Sequence, residues 1–140
     1  MQTILIADDE ESLRTLIDTT LEAPGLRILQ AANGEQAMEI ARREHPDLIL
    51  LDWMMPGKTG IEVAEALRQD PVTAEIAIVM LTGRDQERDR LRGLAVGIRA
   101  YLIKPFSPLQ LLECVRDVLA SREGSTDDGA GTTNEKMRRA

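Results

Sequence analysis

Five short apolar runs punctuate the chain, and each gives way to a longer stretch whose apolar positions recur at helical spacing. Thr3-Ile4-Leu5-Ile6-Ala7 is the first, ended by four acids, Asp8-Asp9-Glu10-Glu11. From Ser12 to Glu22, Leu13, Leu16, Ile17, Thr20 and Leu21 fall at the three-to-four spacing of one helix face, until Pro24-Gly25 stops it. Leu26–Ala31 reads as a second strand and Asn33-Gly34 as a turn. Gly34–Glu44 carries Ala37, Met38, Ile40 and Ala41 on one side of a second helix. In Asp47–Asp52 four apolar residues run without interruption, the pattern of a strand covered on both faces. A Pro56-Gly57 turn follows, then a helix from Gly60 to about Asp70 with Ile61, Ala64 and Leu67 inward. Ile76–Leu81 is another doubly buried strand, ending in Thr82-Gly83. The spacing over Asp85–Ala95 predicts a charged, weakly amphipathic helix. Arg99–Ile103 is the last strand, and Ser107-Pro108 starts a helix with Leu111, Leu112, Val115, Val118 and Leu119 as its stripe.

A strand and a helix repeated five times implies right-handed crossovers and a parallel sheet with helices on both faces. In such a sheet every C-terminal strand end reaches one edge, where open α/β proteins bind their ligands. That edge collects Asp8 and Asp9 from the first strand, Asp52 from the third, Thr82 from the fourth and Lys104 from the fifth.

Composition narrows what this edge does. The chain has 140 residues, 43% of them apolar, enough for one domain with a sizeable core. No apolar run approaches the roughly 20 residues that span a bilayer, and the N-terminus shows no basic leader, so a cytoplasmic protein without membrane contact is expected. The single cysteine, Cys114, sits on the apolar side of a helix and reads as a core thiol. Residues 122–140 hold four acids and four bases without apolar periodicity, so the net charge of −7 resides in residues 1–121. The expected organisation is therefore one domain over 1–121 and a disordered linker or tail over 122–140. An acidic domain lacking a basic stripe and aromatic platforms argues against direct nucleic-acid binding.

Three clustered carboxylates repel one another unless a cation neutralises them, and hard oxygen donors suit Mg²⁺, with Mn²⁺ a possible substitute. A metal on Asp9 and Asp52 would leave an Asp52 oxygen as a nucleophile for a phosphoryl group. Lys104 would neutralise that group and Thr82 would donate a hydrogen bond to it. Other phosphate chemistries fit poorly. Acids stand where a phosphate loop would need amides, and Gly57-Lys58-Thr59 lacks the earlier glycine of a nucleotide-binding loop because Asp52 occupies it. A dehalogenase-like phosphatase needs a second acid where Met54 stands. His45, before Pro46, reads as a surface residue.

Asp8-Asp9, Leu51-Asp52, Met55-Pro56-Gly57, Thr82-Gly83 and Lys104-Pro105-Phe106, in this order and spacing, resemble the receiver domain of two-component response regulators, the chemotaxis regulators included. The resemblance covers about residues 2–121. It implies a flavodoxin-like, doubly wound (βα)5 fold with strand order 2-1-3-4-5, and a phosphoprotein of phosphorelay signalling rather than an enzyme acting on other substrates. It implies Asp52 as phospho-acceptor from a sensor histidine kinase or phosphotransfer protein. Mg²⁺ would be held by Asp9, Asp52 and the backbone carbonyl of Met54, with Asp8 acting through a water. Lys104 would pair with the phosphoryl oxygens, and the Lys104-Pro105 bond would be cis. Thr82 would move toward the phosphate, and Tyr101 would turn from exposed to buried as the other half of the switch. The output face would be the fourth helix, fifth strand and fifth helix, read by a partner or output domain. Met54 and Arg84 flank the site and would tune dephosphorylation, with Met54 offering nothing to orient an attacking water.

One departure stands out. The branch of transcription factors with winged-helix outputs usually has an acidic pair before the switch tyrosine; Arg99-Ala100 stand there instead, which leaves at most a weak phosphorylation-dependent dimer through that face. Three functions therefore compete: a single-domain signalling protein, the receiver of a longer DNA-binding or enzymatic regulator, and an aspartate-nucleophile phosphatase, which Met54 disfavours.

Overall fold

Strands that are apolar on both faces need a helical layer on each side, and the computed structural model, which describes residues 1–83 and 96–123, has that arrangement. In chain order the elements are β1 (Gln2–Ala7), α1 (Glu11–Leu21), β2 (Leu26–Ala31), α2 (Gly34–Glu44), β3 (Leu48–Asp52), α3 (Gly60–Gln69), β4 (Ala77–Thr82), β5 (Ala100–Ile103) and a C-terminal helix (Pro108–Glu123). The helix expected over Asp85–Ala95, Arg84 and the tail from residue 124 lie outside the described residues. The sheet is parallel throughout, with strand order β2-β1-β3-β4-β5. Among the described residues no helix is long and apolar enough to cross a membrane.

The period-two alternation of the strands sorts their side chains into two cores. Leu5, Ile49, Leu51, Ile78, Met80 and Tyr101 pack against Ala37 and Ala41 of α2 and Ile61, Ala64 and Leu67 of α3. Ile4, Ile6, Leu48, Leu50, Val79 and Leu81 face the other way, onto Ile17 and Leu21 of α1 and Leu111, Val115 and Val118 of the C-terminal helix. Cys114 packs half-buried against this second core, as its place on the helix suggests. Leu16 departs from expectation: it lies 52% exposed, because α1 needs only the stripe through Leu13, Ile17 and Leu21 to seat on the sheet.

Helix ends follow local chemistry. Thr59 and Glu62 form a reciprocal capping box on α3, and Asn33 accepts the Gln36 N–H at the start of α2. His45 is exposed and caps α2 in the left-handed region (φ 51°), donating its N–H to Ala41 O at 3.1 Å. Its role is conformational.

Arg68 of α3 ties three segments together. Nε donates to Val96 O (2.8 Å), Nη1 to Ala74 O (2.9 Å) and Ile76 O (2.7 Å), and Nη2 to Gly97 O (3.1 Å). A planar fork with donors on three nitrogens satisfies carbonyls at the entrances of β4 and β5 that an ammonium cannot reach together. Arg68→Ala is expected to cost roughly 2–4 kcal/mol in urea unfolding, with Arg68→Lys recovering only part. Equal stability of Arg68→Lys and wild type would contradict this.

Candidate functional site

The sheet register builds the site. Ala7 of β1 pairs with Leu51 of β3, so the next residues, Asp8 and Asp52, leave adjacent central strands side by side. Asp52 pairs with Leu81 of β4, and Thr82 pairs with Ile103 of β5, which places Thr82 and Lys104 at the same edge. Ligand oxygens of Asp8, Asp9 and Asp52 lie within 4.8 Å of one another. Asp8 is fully buried, Asp52 is 4% exposed and Asp9 is exposed, so the cluster opens to solvent on the Asp9 side.

Lys104 crosses from beyond β4 to bridge the two buried carboxylates. Its Nζ donates to Asp8 Oδ2 and to Asp52 Oδ1, each at 3.1 Å. Asp8 is held further by the Glu10 N–H on Oδ1 (2.8 Å), by its own N–H to Ala31 O (3.1 Å), and by Arg14 Nη1 on its carbonyl oxygen (2.8 Å). Burial, and then the Asp8 charge, push the Asp52 carboxyl up to about 6; Lys104 and the Met54 N–H offset this in part. Burial works against the Lys104 charge, but Asp52 and Asp8 outweigh it and hold the ammonium above its ordinary range.

The Asp52 shift has a stability consequence. A carboxyl whose folded value is raised from 3.8 to about 6 makes the folded state bind more protons, so this group's contribution is lost as pH rises from about 4 to about 6. In metal-free buffer at pH 7, Asp52→Asn is expected to be more stable than wild type by about 1–3 kcal/mol. The gap should close as pH falls toward about 4, followed by thermal melts. A gap of constant size, or of opposite sign, would contradict the assignment.

The loop after β3 folds under the site. Trp53 donates its N–H to Leu81 O at 2.8 Å and accepts from the Gly60 N–H at 2.7 Å. Its side chain is 7% exposed and belongs to the core, as does Met55, whereas Met54 between them is 57% exposed. Gly57 adopts φ +85°, which explains a glycine after Pro56. At Gly60 the α3 N-terminus comes so close to β3 that an added Cβ would meet the Asp52 carbonyl oxygen.

Thr82 is buried and its hydroxyl donates to Gly83 O at 2.8 Å. Tyr101 is 1% exposed, in core contact beside Met80, its register partner on β4. It therefore occupies the inward position of the two that the resemblance implies. The Lys104-Pro105 bond is cis. Asp8, Asp9, Asp52, Thr82 and Lys104 thus meet at one edge, Met54 borders it with an exposed side chain, and Arg84 lies outside the described residues. Sequence reasoning missed Arg14 and Gly60. Arg14 sits on a polar helix face with no local sign of a backbone partner, while a glycine opening a helix was a sign of close approach.

A family model described as the response regulator receiver domain matches residues 4–116. The phosphate regulon transcriptional regulatory protein PhoB of Pseudomonas aeruginosa is 45% identical over 129 residues, covering 92% of this chain and 56% of that protein. Its namesake in Rhizobium meliloti is 42% identical over 116 residues, covering 83% of this chain and 51% of that protein. The chain thus spans about half the length of the curated relatives it matches. Among solved structures, the chemotaxis protein CheY4 of Vibrio cholerae superposes with TM-score 0.78 at 34% identity, covering 84% of this chain and 98% of that one. The receiver domain of sensor histidine kinase PA1611 from Pseudomonas aeruginosa, solved with a magnesium ion in its active-site cleft, gives 0.76 at 29% identity, covering 85% and 98%.

Proposed function

The chain belongs to the response regulator receiver family, and from that premise we propose that it is a phosphorylation-driven switch whose acceptor is Asp52. The observation that carries this reading is the Lys104 ammonium held between Asp8 and Asp52, beside a solvent-open cluster of three carboxylates. The donor set, hard oxygens with space left for water and a phosphate oxygen, fits Mg²⁺. Asp9, Asp52 and the Met54 carbonyl would hold it, with Asp8 acting through a water. When bound, it supplies positive charge that neutralises the carboxylates and the incoming phosphoryl oxygens.

An Asp52 oxygen attacks the phosphorus of a phosphohistidine on a sensor histidine kinase or phosphotransfer protein. The new O–P bond forms as the N–P bond breaks, and the imidazole leaves. Lys104 is placed to exchange one carboxylate contact for a phosphoryl oxygen. Thr82, whose hydroxyl now rests on the adjacent Gly83 carbonyl, can rotate or shift toward the phosphate, and Tyr101 packs on the neighbouring strand as the second half of the switch. Phosphorylation would then bias two packings of an output face comprising β5, the C-terminal helix and the helix that the sequence predicts over Asp85–Ala95. Met54 offers no group to orient a hydrolytic water, which favours a long-lived phosphoform tuned by this residue and by Arg84. Because the match covers only about half of the PhoB relatives, which are transcriptional regulators, residues 1–121 would act as the receiver of a larger DNA-binding regulator, joined to its output through the segment from 122.

Incubation with acetyl phosphate in Mg²⁺ or in excess EDTA, followed by phosphoprotein gel separation, tests the metal requirement. Modification is expected only with Mg²⁺; equal modification in EDTA would contradict it.

A further inference from the structure

Of the three acids, Asp9 is the exposed one, and its placement depends on the peptide that joins it to Asp8. Arg14, one turn into α1, donates Nη1 to the carbonyl oxygen of that peptide at 2.8 Å. Its Nε donates to Gln30 Oε1 at 3.0 Å, and Gln30 Nε2 donates to Asp18 Oδ2 at 2.8 Å. The guanidinium is thus held at two ends, by Gln30 of β2, which Asp18 of α1 fixes in turn, and by the strand end that carries the acids. We infer that Arg14 is a positioning residue for the metal site: by locking the Asp8–Asp9 peptide it sets the direction in which the Asp9 carboxylate leaves the sheet edge.

This inference rests on the proposed Mg²⁺ site, and it makes a prediction opposite in sign to simple electrostatics. A cation beside an acidic cluster repels a second cation, so by Coulomb's law alone removing Arg14 tightens Mg²⁺ binding. If Arg14 positions the acids, removing it loosens binding, as loss of groups that orient metal ligands does.

The test is calorimetric titration of the full chain with MgCl₂, without a phosphodonor. Arg14→Ala is expected to weaken Mg²⁺ binding about tenfold, and Arg14→Lys, which keeps one donor for the Asp8 carbonyl, to recover a large part. Gln30→Leu, which frees the outer end of the guanidinium, is expected to weaken binding by a smaller factor. Unchanged or tighter binding in Arg14→Ala would overturn the inference, as would a loss in Arg14→Lys equal to that in Arg14→Ala. Wild type that binds no Mg²⁺ at millimolar concentration would overturn the metal reading instead. Far-UV circular dichroism of each variant separates both outcomes from unfolding, and a variant that melts earlier with unaltered Mg²⁺ binding assigns Arg14 a purely structural role and sinks the inference.

Discussion

Lys104→Ala is expected to destabilise the metal-free protein by roughly 3–5 kcal/mol, the scale for stripping the partner from buried charges. The reason lies in its two contacts. Asp8 is fully buried and Asp52 nearly so, and at 3.1 Å from each the ammonium offsets their mutual repulsion. Without it, burial and the Asp8 charge, which already lift Asp52 to about 6, act unopposed except by backbone N–H groups. Two features separate this from generic loss of packing. Combining Lys104→Ala with Asp52→Asn should restore much of the loss, since the double variant no longer holds two unneutralised carboxylates. Saturating Mg²⁺ should also restore stability, by mass action on the folded state. Urea titrations with and without Mg²⁺ measure both, and a loss under about 1 kcal/mol, or one insensitive to Asp52→Asn, would contradict the bridging role.

Gly60→Ala is expected to destabilise by roughly 3 kcal/mol, although helix propensity alone would make alanine better here by up to about 1 kcal/mol. The added Cβ would meet the Asp52 carbonyl oxygen, and Met80 Sδ at 3.0 Å bars the other direction. The clash is with backbone, so α3 or the end of β3 must move. Because the Gly60 N–H also donates to Trp53 O, the movement passes to the residues bearing the Asp52 carboxylate and the Met54 carbonyl. A displacement of about 1 Å at a reacting group can cost on the order of 100-fold in rate, so phosphoryl uptake should fall along with stability. Thermal melts and the initial rate of phosphorylation by acetyl phosphate check the two parts. Wild-type behaviour in both would show that the loop gives way without cost.

The layout was legible because the strands are written in uninterrupted apolar runs and the acids, threonine and lysine follow those runs directly. Once Leu48–Leu51 and Ile78–Leu81 were strands of one parallel sheet, Asp8, Asp52, Thr82 and Lys104 had to meet at its edge. Boundaries moved by a residue where side chains take over pairing. Asp47, read as strand, keeps its backbone bonds to Thr3 O (2.8 Å) and from the Ala77 N–H (3.3 Å), but its carboxylate takes the Thr3 N–H at 2.8 Å, and β3 begins at Leu48. Contacts from side chain to distant backbone were not legible. Arg14 and Arg68 look like ordinary polar-face residues of helices, and nothing in their spacing names the carbonyls they satisfy. Whether Tyr101 points inward is likewise a matter of packing beside Met80, since an edge-strand aromatic fits either face by pattern alone.

The most direct test of Asp52 as phospho-acceptor is intact mass after incubation with acetyl phosphate and Mg²⁺, run in parallel on wild type and Asp52→Asn. Wild type should gain the mass of one phosphoryl group while Asp52→Asn gains none. An equal gain in Asp52→Asn, or no adduct in the wild type with any phosphodonor, would contradict the account.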